Sequence, residues 1–171
     1  TIFVKAGDEL PQVTPTHTEC GYNKLDHYLN ISPDDRLLLK VYLVACLNPK
    51  ITIPCLSING TNGSGKSTLS RIVKKIVDPS SNELETLPNS EDNIRVRLRY
   101  GHYLVFDNLS TVTQKQSNYL CGIVTGTSAS ERVKFSNNEV TTTRLHCGMC
   151  FNGISPFFKR ADMAERTIFI T

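Results

Sequence analysis

The chain has 171 residues, which is enough for one domain with a substantial hydrophobic core. Hydrophobic residues account for 39% of it and charged residues for 20%, as in ordinary soluble globular proteins. The formal net charge is only +3, so any basic surface that binds nucleic acid would have to be local. We find no signal peptide and no apolar run of membrane-spanning length, and therefore expect a cytoplasmic protein without membrane contact.

The six cysteines are scattered and do not form a complete metal-binding pattern. Most lie in apolar segments, where a free thiol behaves as a small hydrophobic side chain, so we expect them to be buried and reduced. The C-x-x-C pair within residues 146–150 leaves a zinc or redox site as the alternative, but no second pair completes it. The cysteines are Cys20, Cys46, Cys55, Cys121, Cys147 and Cys150.

Residues 1–50 are predicted to form a lead-in segment and one helix that packs on the core. Two prolines interrupt residues 1–31, which disfavours a long element there. Residues 32–35 (Ser-Pro-Asp-Asp) are typical of a helix start, with a capping serine, a first-turn proline and acids near the positive end. Residues 37–47 are apolar on almost all sides, which predicts a helix buried on most faces.

Residues 60–68 match G-x-x-x-x-G-K-[ST], the phosphate-binding loop of P-loop NTPases. An apolar, β-branched stretch at 53–59 predicts a strand before the loop, and helical spacing at 69–77 predicts a helix after it. The glycines let successive N–H groups face the phosphates, Lys66 would reach the β- and γ-phosphates, and Ser67 would ligate Mg²⁺. The alternative, a plain glycine turn, does not explain these flanks. The predicted nucleotide-binding residues are Gly60, Thr61, Asn62, Gly63, Ser64, Gly65, Lys66, Ser67 and Thr68.

An apolar stretch at 103–107 ends in an acid, as in a Walker B segment. A strand of this kind would place the Asp107 carboxylate beside the Mg²⁺ that Ser67 holds. Between the two motifs we expect a short strand at 84–87 and a helix at 91–99. After them we expect a helix at 113–125, hairpin strands at 133–136 and 139–142 around an Asn137–Asn138 turn, a strand at 145–151, a short helix at 162–165 and a last strand at 166–170. This alternation predicts an α/β fold with a mostly parallel sheet between helical layers.

The order and spacing of these motifs resemble the AAA+-type ATPase domain of phage, prophage and mobile-element replication proteins. The resemblance covers nearly the whole chain and is most specific at 106–110, 120–126, 152–154 and 162–166. It implies a three-layer P-loop NTPase core of the AAA+-like (ASCE) type at 51–171, with a β-hairpin insertion before the sensor-1 strand. It also implies ATP and Mg²⁺ as cofactors. The helical lid usual in AAA+ modules is not apparent.

The resemblance also implies catalytic roles at matching positions. Asn152 resembles the sensor-1 residue that orients the attacking water, and Arg166 resembles an arginine finger that acts on a neighbouring subunit, with Arg160 as the second candidate. The alternatives are a turn residue at the end of a strand for Asn152 and a surface salt bridge for Arg166. The hairpin at 131–142 resembles the pore hairpin of ring helicases.

Two basic residues of this hairpin, Arg132 and Lys134, would then contact DNA phosphates without reading bases. A solvated hairpin is the equally acceptable alternative. One position departs from the usual AAA+ pattern, because Asn108 stands where a glutamate normally polarises the water. Asn108 can position water but cannot take its proton, so the general base is unassigned. A carboxylate could come from Glu91, Asp92 or Glu131.

These inferences together predict a Mg²⁺-dependent ATPase, the motor of a ring-forming DNA helicase or helicase-like replication protein of a mobile element. Lys66, Asp107, Asn108, Asn152 and Arg166 form its predicted catalytic set, with ATP bound between subunits of a homo-oligomeric ring. Two other classes stay open. One is a nucleotide-dependent switch or assembly module with little hydrolysis, and the other is a P-loop kinase of small molecules.

Overall fold

The computed structural model describes residues 9–11, 13–14, 21–48, 50–99, 101–132, 140–154, 157–158 and 160–171. Its helices are α1 (Gly21–Leu25), α2 (Pro33–Cys46), α3 (Lys66–Val77), α4 (Glu91–Leu98), α5 (Gln114–Thr125) and α6 (Ala161–Ala164), with a 3-10 turn at Asp26–Tyr28. Its strands are β1 (Cys55–Asn59), β2 (Tyr103–Leu109), β3 (Ser128–Arg132), β4 (Val140–Arg144), β5 (Gly148–Gly153) and β6 (Thr167–Ile170).

Four strands form a parallel sheet in the order β2-β5-β1-β6. β5 therefore separates the strand that leads into the glycine loop from the strand that carries Asp107. The strand expected at 84–87 is reduced to one parallel bridge, in which Glu85 pairs with Phe106 at the edge of β2. Its N–H donates to Val105 O and its carbonyl accepts from Asp107 N. The predicted parallel α/β core is confirmed.

Helices cover both faces of the sheet. On one face, α2 and α3 pack on side chains that include Leu56, Val105 and Cys150. On the other face, α4, α5 and α6 pack on Phe106 and Phe151, among others. Successive residues of a strand point to opposite faces, so one run of apolar residues supplies both clusters. The resulting three layers agree with the layered core expected from the sequence.

Local sequence signals account for the helix ends. Ser32 Oγ accepts from Asp35 N at 3.1 Å, and Thr113 forms a reciprocal capping box with Gln116. Gly126 ends α5 in the left-handed conformation, with a φ angle of 79°. These signals lie within a few residues of each other, which is why the helix at 113–125 could be placed closely.

The burial predicted for α2 was wrong. Leu39, Tyr42 and Leu43 face the core at 1–3% exposure, whereas Leu37 and Val41 are 65% and 59% exposed. The helix packs through a single stripe at helical spacing, and no described element covers its opposite side. Apolar residues on all sides of a helix therefore did not imply neighbours on all sides.

The predicted hairpin is present, but its strands are placed differently. β3 and β4 are antiparallel, with Arg132 opposite Val140, and β3 begins at Ser128, five residues before the first expected strand. The expected Asn137–Asn138 turn lies outside the described residues. The following strand was also misplaced: β5 starts at Gly148 instead of residue 145 and continues through Asn152 to Gly153. A hydrogen bond from Leu145 N to Thr127 O instead holds the stretch before β5.

Candidate functional site

The glycine-rich loop follows the carboxyl end of β1 and leads directly into α3. Gly63 and Gly65 have φ angles of 78° and 87°, a region that residues with a Cβ rarely adopt. Lys66 is the first residue of α3, and its Nζ donates to Thr61 O at 2.7 Å. The first N–H groups of α3 and the positive end of its dipole thus face one exposed loop, an arrangement suited to an anion such as phosphate.

The end of β2 brings an acid to this loop. Ser67 Oγ donates to Asp107 Oδ1 at 2.9 Å, and both side chains are partly buried. A hydroxyl and a carboxylate are hard oxygen ligands of the kind that Mg²⁺ prefers beside phosphates. Ser67 and Asp107 are therefore the residues that could hold a shared metal ion, and their role as its ligands stays a prediction. The sequence placed these residues in separate motifs, and the fold brings them into contact.

Asn152 is held by hydrogen bonds at both ends of its amide. Its Oδ1 accepts from Asn108 N at 2.9 Å, and its Nδ2 donates to Ser70 Oγ at 2.9 Å. Asn152 is 1% exposed, whereas Asn108 is exposed. The water-orienting roles expected for these two residues stay predictions. Ser70, which the sequence did not single out, is the third member of this group.

A cavity of about 310 Å³ adjoins the glycine loop. Its lining includes the segment 28–31 together with Ile58, Gly60, Lys66 and Leu69. Its volume is at the lower end of the range for small-molecule sites. Residues 28–31 contain no sequence motif that marks them as part of a site, because only the tertiary fold places them beside the loop.

Arg166 lies at the end of the sheet where β1 begins, whereas the glycine loop lies at the end where β1 stops. Its carbonyl accepts from Cys55 N at the beginning of β1, whereas the loop follows the end of β1. Its guanidinium pairs with Asp162 at 2.6 Å, and Arg160 donates to Asn118 Oδ1 at 2.9 Å. Arg166 therefore cannot reach the loop of its own chain. A role in trans stays a prediction.

The remaining predicted residues are not brought to the loop by any contact that the structure describes. Glu91 pairs with Lys115 at 3.7 Å, and Asp92 pairs with Arg95 at 3.4 Å. Lys134 lies outside the described residues, and the same holds for the side chains of Glu131 and Arg132. The expected general base and the expected DNA contacts stay predictions.

Comparison with known protein families assigns the chain to one of them. The sequence model for the replication proteins of actinomycete integrative conjugative elements matches residues 25–171, which is most of the chain. The chain belongs to this family. It is therefore a member of a replication protein family of mobile elements, as its motif order predicted. None of the curated proteins matches the chain significantly.

Solved structures similar to this replication protein show the same fold. The apo C-terminal region of NrS-1 aligns with a TM-score of 0.63 and 17% identity, covering 93% of this chain and 39% of that one. A second apo structure of that region, residues 305–718, gives a TM-score of 0.56 and 16% identity, covering 95% of this chain and 40% of that one. The replication protein chain thus spans about two fifths of the NrS-1 region that it matches.

The cysteines of this replication protein do not form a metal or redox site among the described residues. Cys147 and Cys150 are both buried but belong to opposite faces of the sheet. Burial raises the pKa of each thiol to about 12, and it raises the pKa of Cys46 to about 11. No group of three or more His, Cys, Asp or Glu side chains in the described part of the chain could hold a metal ion. The buried thiols are as expected, except that Cys20 lies outside the described residues.

None of the helices that the structure describes in this replication protein is both long and apolar enough to cross a membrane.

Proposed function

We propose that this chain is a Mg²⁺-dependent ATP-binding and hydrolysing motor domain of the P-loop NTPase type, acting in replication of a mobile element. The contact between Ser67 Oγ and Asp107 Oδ1 carries the proposal. It joins the first turn of the helix after the glycine-rich loop to the end of β2, which is separated from β1 by β5. Bound Mg²⁺ would neutralise charge on the β- and γ-phosphates.

The residues of the loop would bind the triphosphate. Lys66 now donates to the loop carbonyl of Thr61, and a phosphate oxygen would replace this acceptor. The backbone N–H groups at the start of α3 would bind the same phosphates, aided by the helix dipole. The adjoining cavity, with residues 28–31 in its lining, is placed to receive the nucleoside. It adjoins the loop, so one molecule can occupy both.

Strand order and family membership support the motor function. The insertion of β5 between β1 and β2, with Glu85 beyond β2, is the strand arrangement expected of an AAA+-like core. Replication proteins act on DNA, so DNA is the partner that we propose, bound without sequence readout. Arg166 lies at the start of β1, away from the loop of its own chain, so the catalytic role that we propose for it requires a ring in which each subunit completes its neighbour's site.

The test is ATP turnover with and without single-stranded DNA, at several protein concentrations. Lys66→Ala is the blank, and Lys50→Ala, an exposed lysine outside the loop, is the matched control. We expect a rate per subunit that rises with concentration and with DNA in the wild type and the control variant. Turnover equal to that of Lys66→Ala would contradict the proposed ATPase, and turnover flat in both variables would contradict the ring motor.

A second candidate is a nucleotide-dependent switch that hydrolyses ATP very slowly. It is favoured by one observation: Asn108 offers no carboxylate, and Glu91 and Asp92 are engaged in ion pairs on the helices. Tight binding of ATP with Mg²⁺, without turnover even in the presence of DNA, would support the switch. Multiple turnovers per subunit would exclude it.

A further inference from the structure

β2 contains one extra residue opposite β5, beside the candidate metal ligand. Phe106 pairs with Phe151 and Leu109 pairs with Gly153, so three steps along β2 match two steps along β5. The extra residue forms a β-bulge over positions 107–108. Bulges beside functional sites redirect a side chain, and the segment that is redirected here carries Asp107.

Asn108, within this bulge, has a left-handed backbone conformation. Its φ angle is 57°, and it is the one residue other than glycine with a positive φ in the part of the chain that the structure describes. Asparagine adopts this conformation far more readily than most residues with a Cβ, and β-branched residues almost never adopt it. The backbone of this position therefore selects asparagine or glycine, whatever its side chain contributes.

The N–H group of the bulge has a side-chain acceptor in place of a strand partner. Asn152 Oδ1 accepts it at 2.9 Å, and the other end of the same amide bonds to Ser70 at 2.9 Å. Asn152 and Ser70 are 1% and 0% exposed, so water does not replace a lost bond readily. Ser70 lies on α3, one turn beyond Ser67. The bulge is thus tied to the same helix that carries the candidate metal hydroxyl.

We propose that Asn108 and Asn152 are positioning residues, which act through the backbone to hold the Asp107 carboxylate against Ser67. The inference rests on the proposed function, because that contact matters for catalysis only if it holds Mg²⁺. It assigns the effect of Asn108 to its left-handed backbone rather than to its amide.

Two substitutions separate the backbone from the side chain. Asn108→Gly keeps the left-handed backbone and removes the amide, whereas Asn108→Val removes the amide and disfavours the conformation. A fluorescent ATP analogue is titrated without Mg²⁺ and then at rising Mg²⁺, beside wild type and Lys66→Ala. We expect Asn108→Gly to stay within about threefold of the wild-type Mg²⁺ half-saturation and Asn108→Val to raise it about tenfold. Binding without Mg²⁺ should be unchanged in both, because the loop is intact.

The anchor is tested in parallel. Asn152→Leu, or Ser70→Ala as the milder variant that folds more readily, should raise the Mg²⁺ half-saturation as well. By NMR, hydrogen exchange at the Asn108 amide should become faster in Asn152→Leu and stay slow at residue 108 of Asn108→Gly. Thermal melts of each variant show whether a change reflects lost folding.

Each outcome decides the proposal. An Asn108→Gly protein as defective as Asn108→Val would overturn the positioning role and assign the effect to the side chain. The same Mg²⁺ dependence in wild type and in all four variants would also overturn it. Wild type that binds nucleotide no better than Lys66→Ala would refute the proposed function, and the inference with it. Failure of the proposed function is therefore recognised from wild type and Lys66→Ala alone, without the variants at positions 70, 108 and 152.

Discussion

The Ser67 hydroxyl donates to the Asp107 carboxylate at 2.9 Å, although 40 positions separate the two residues in the chain. The strand before the glycine loop, β1, is not a neighbour of β2, because β5 lies between them. The contact lies at the carboxyl ends of the strands, where α3 begins and β2 ends. Binding of a metal ion at this contact would therefore depend on the position of α3 relative to β2.

Removal of either partner should weaken Mg²⁺ binding. Ser67→Ala and Asp107→Ala are each expected to raise the Mg²⁺ needed for nucleotide binding by about 10- to 100-fold, because each removes an oxygen ligand. Ser67→Thr keeps the hydroxyl and should retain most of the affinity. Ser81→Ala, at an exposed serine in a loop, is the control. Ser67→Ala with the same Mg²⁺ dependence as this control would show that the pair does not hold the ion.

If Arg166 acts on a neighbouring subunit, subunits that lack it should inhibit rings that also contain wild-type subunits. Arg166→Ala mixed with wild type is expected to lower ATP turnover by more than its share of subunits, because one defective finger disables a neighbour with an intact loop. The Arg166 guanidinium pairs with Asp162 in the isolated chain, and that pair must open. Arg71→Ala, which removes another half-exposed arginine with an acidic partner, should leave ATP turnover unchanged. A decrease proportional to the mutant fraction would assign Arg166 to a surface salt bridge.

The sequence predicted what depends on neighbouring residues and missed what depends on tertiary packing. The strand, glycine turn and helix at 53–77 are read from local spacing, and the structure has all three, whereas phosphate binding by the loop stays a prediction. The exposed side of α2 could not be predicted, because helical spacing does not say whether a second neighbour exists. The bulge at Asn108 depends on the register of β2 against β5, which no local pattern encodes. Likewise, residues 28–31 reach the loop only through the packing of α2.

A buried ion pair at the end of α3 is hydrogen-bonded to the backbone at the start of β2, and loss of one partner should be strongly destabilising. Lys74 is 4% exposed, and its Nζ donates to Asp78 Oδ2 at 2.8 Å and to Tyr103 O at 2.7 Å. The same carboxylate oxygen accepts from the N–H groups of His102 and Tyr103, at 2.9 Å each. The pair therefore joins the end of the helix to the start of the strand.

Asp78→Ala should lower the free energy of unfolding by about 3 kcal/mol, because it leaves a buried ammonium group without a counterion. Urea titration followed by circular dichroism measures this change. Asp92→Ala, which removes an exposed partner of Arg95, should cost at most about 1 kcal/mol. Lys74→Met in the Asp78→Ala background should recover part of the loss. Equal effects of the two aspartate substitutions would contradict a special role of burial.

The buried thiols should make the fold sensitive to alkali. Burial raises the pKa of Cys147 and Cys150 from 9.0 to about 12, so the folded state keeps protons that the unfolded state releases. The free energy of unfolding should therefore be insensitive to these thiols below about pH 8. It should fall as pH rises from 9 towards 12, by up to about 1.4 kcal/mol per pH unit for each thiol.

Urea midpoints at pH 7, 9 and 10 measure this slope, and the Cys147→Ala/Cys150→Ala double variant isolates the thiols from lysine and tyrosine titration. The double variant is less stable at pH 7 because it loses buried volume, but its stability should decline less between pH 9 and pH 10. A thiol reagent at pH 8 should label these cysteines only after denaturant is added, since burial blocks access and keeps them protonated. Parallel pH slopes in the two proteins would mean that other groups dominate the alkaline loss.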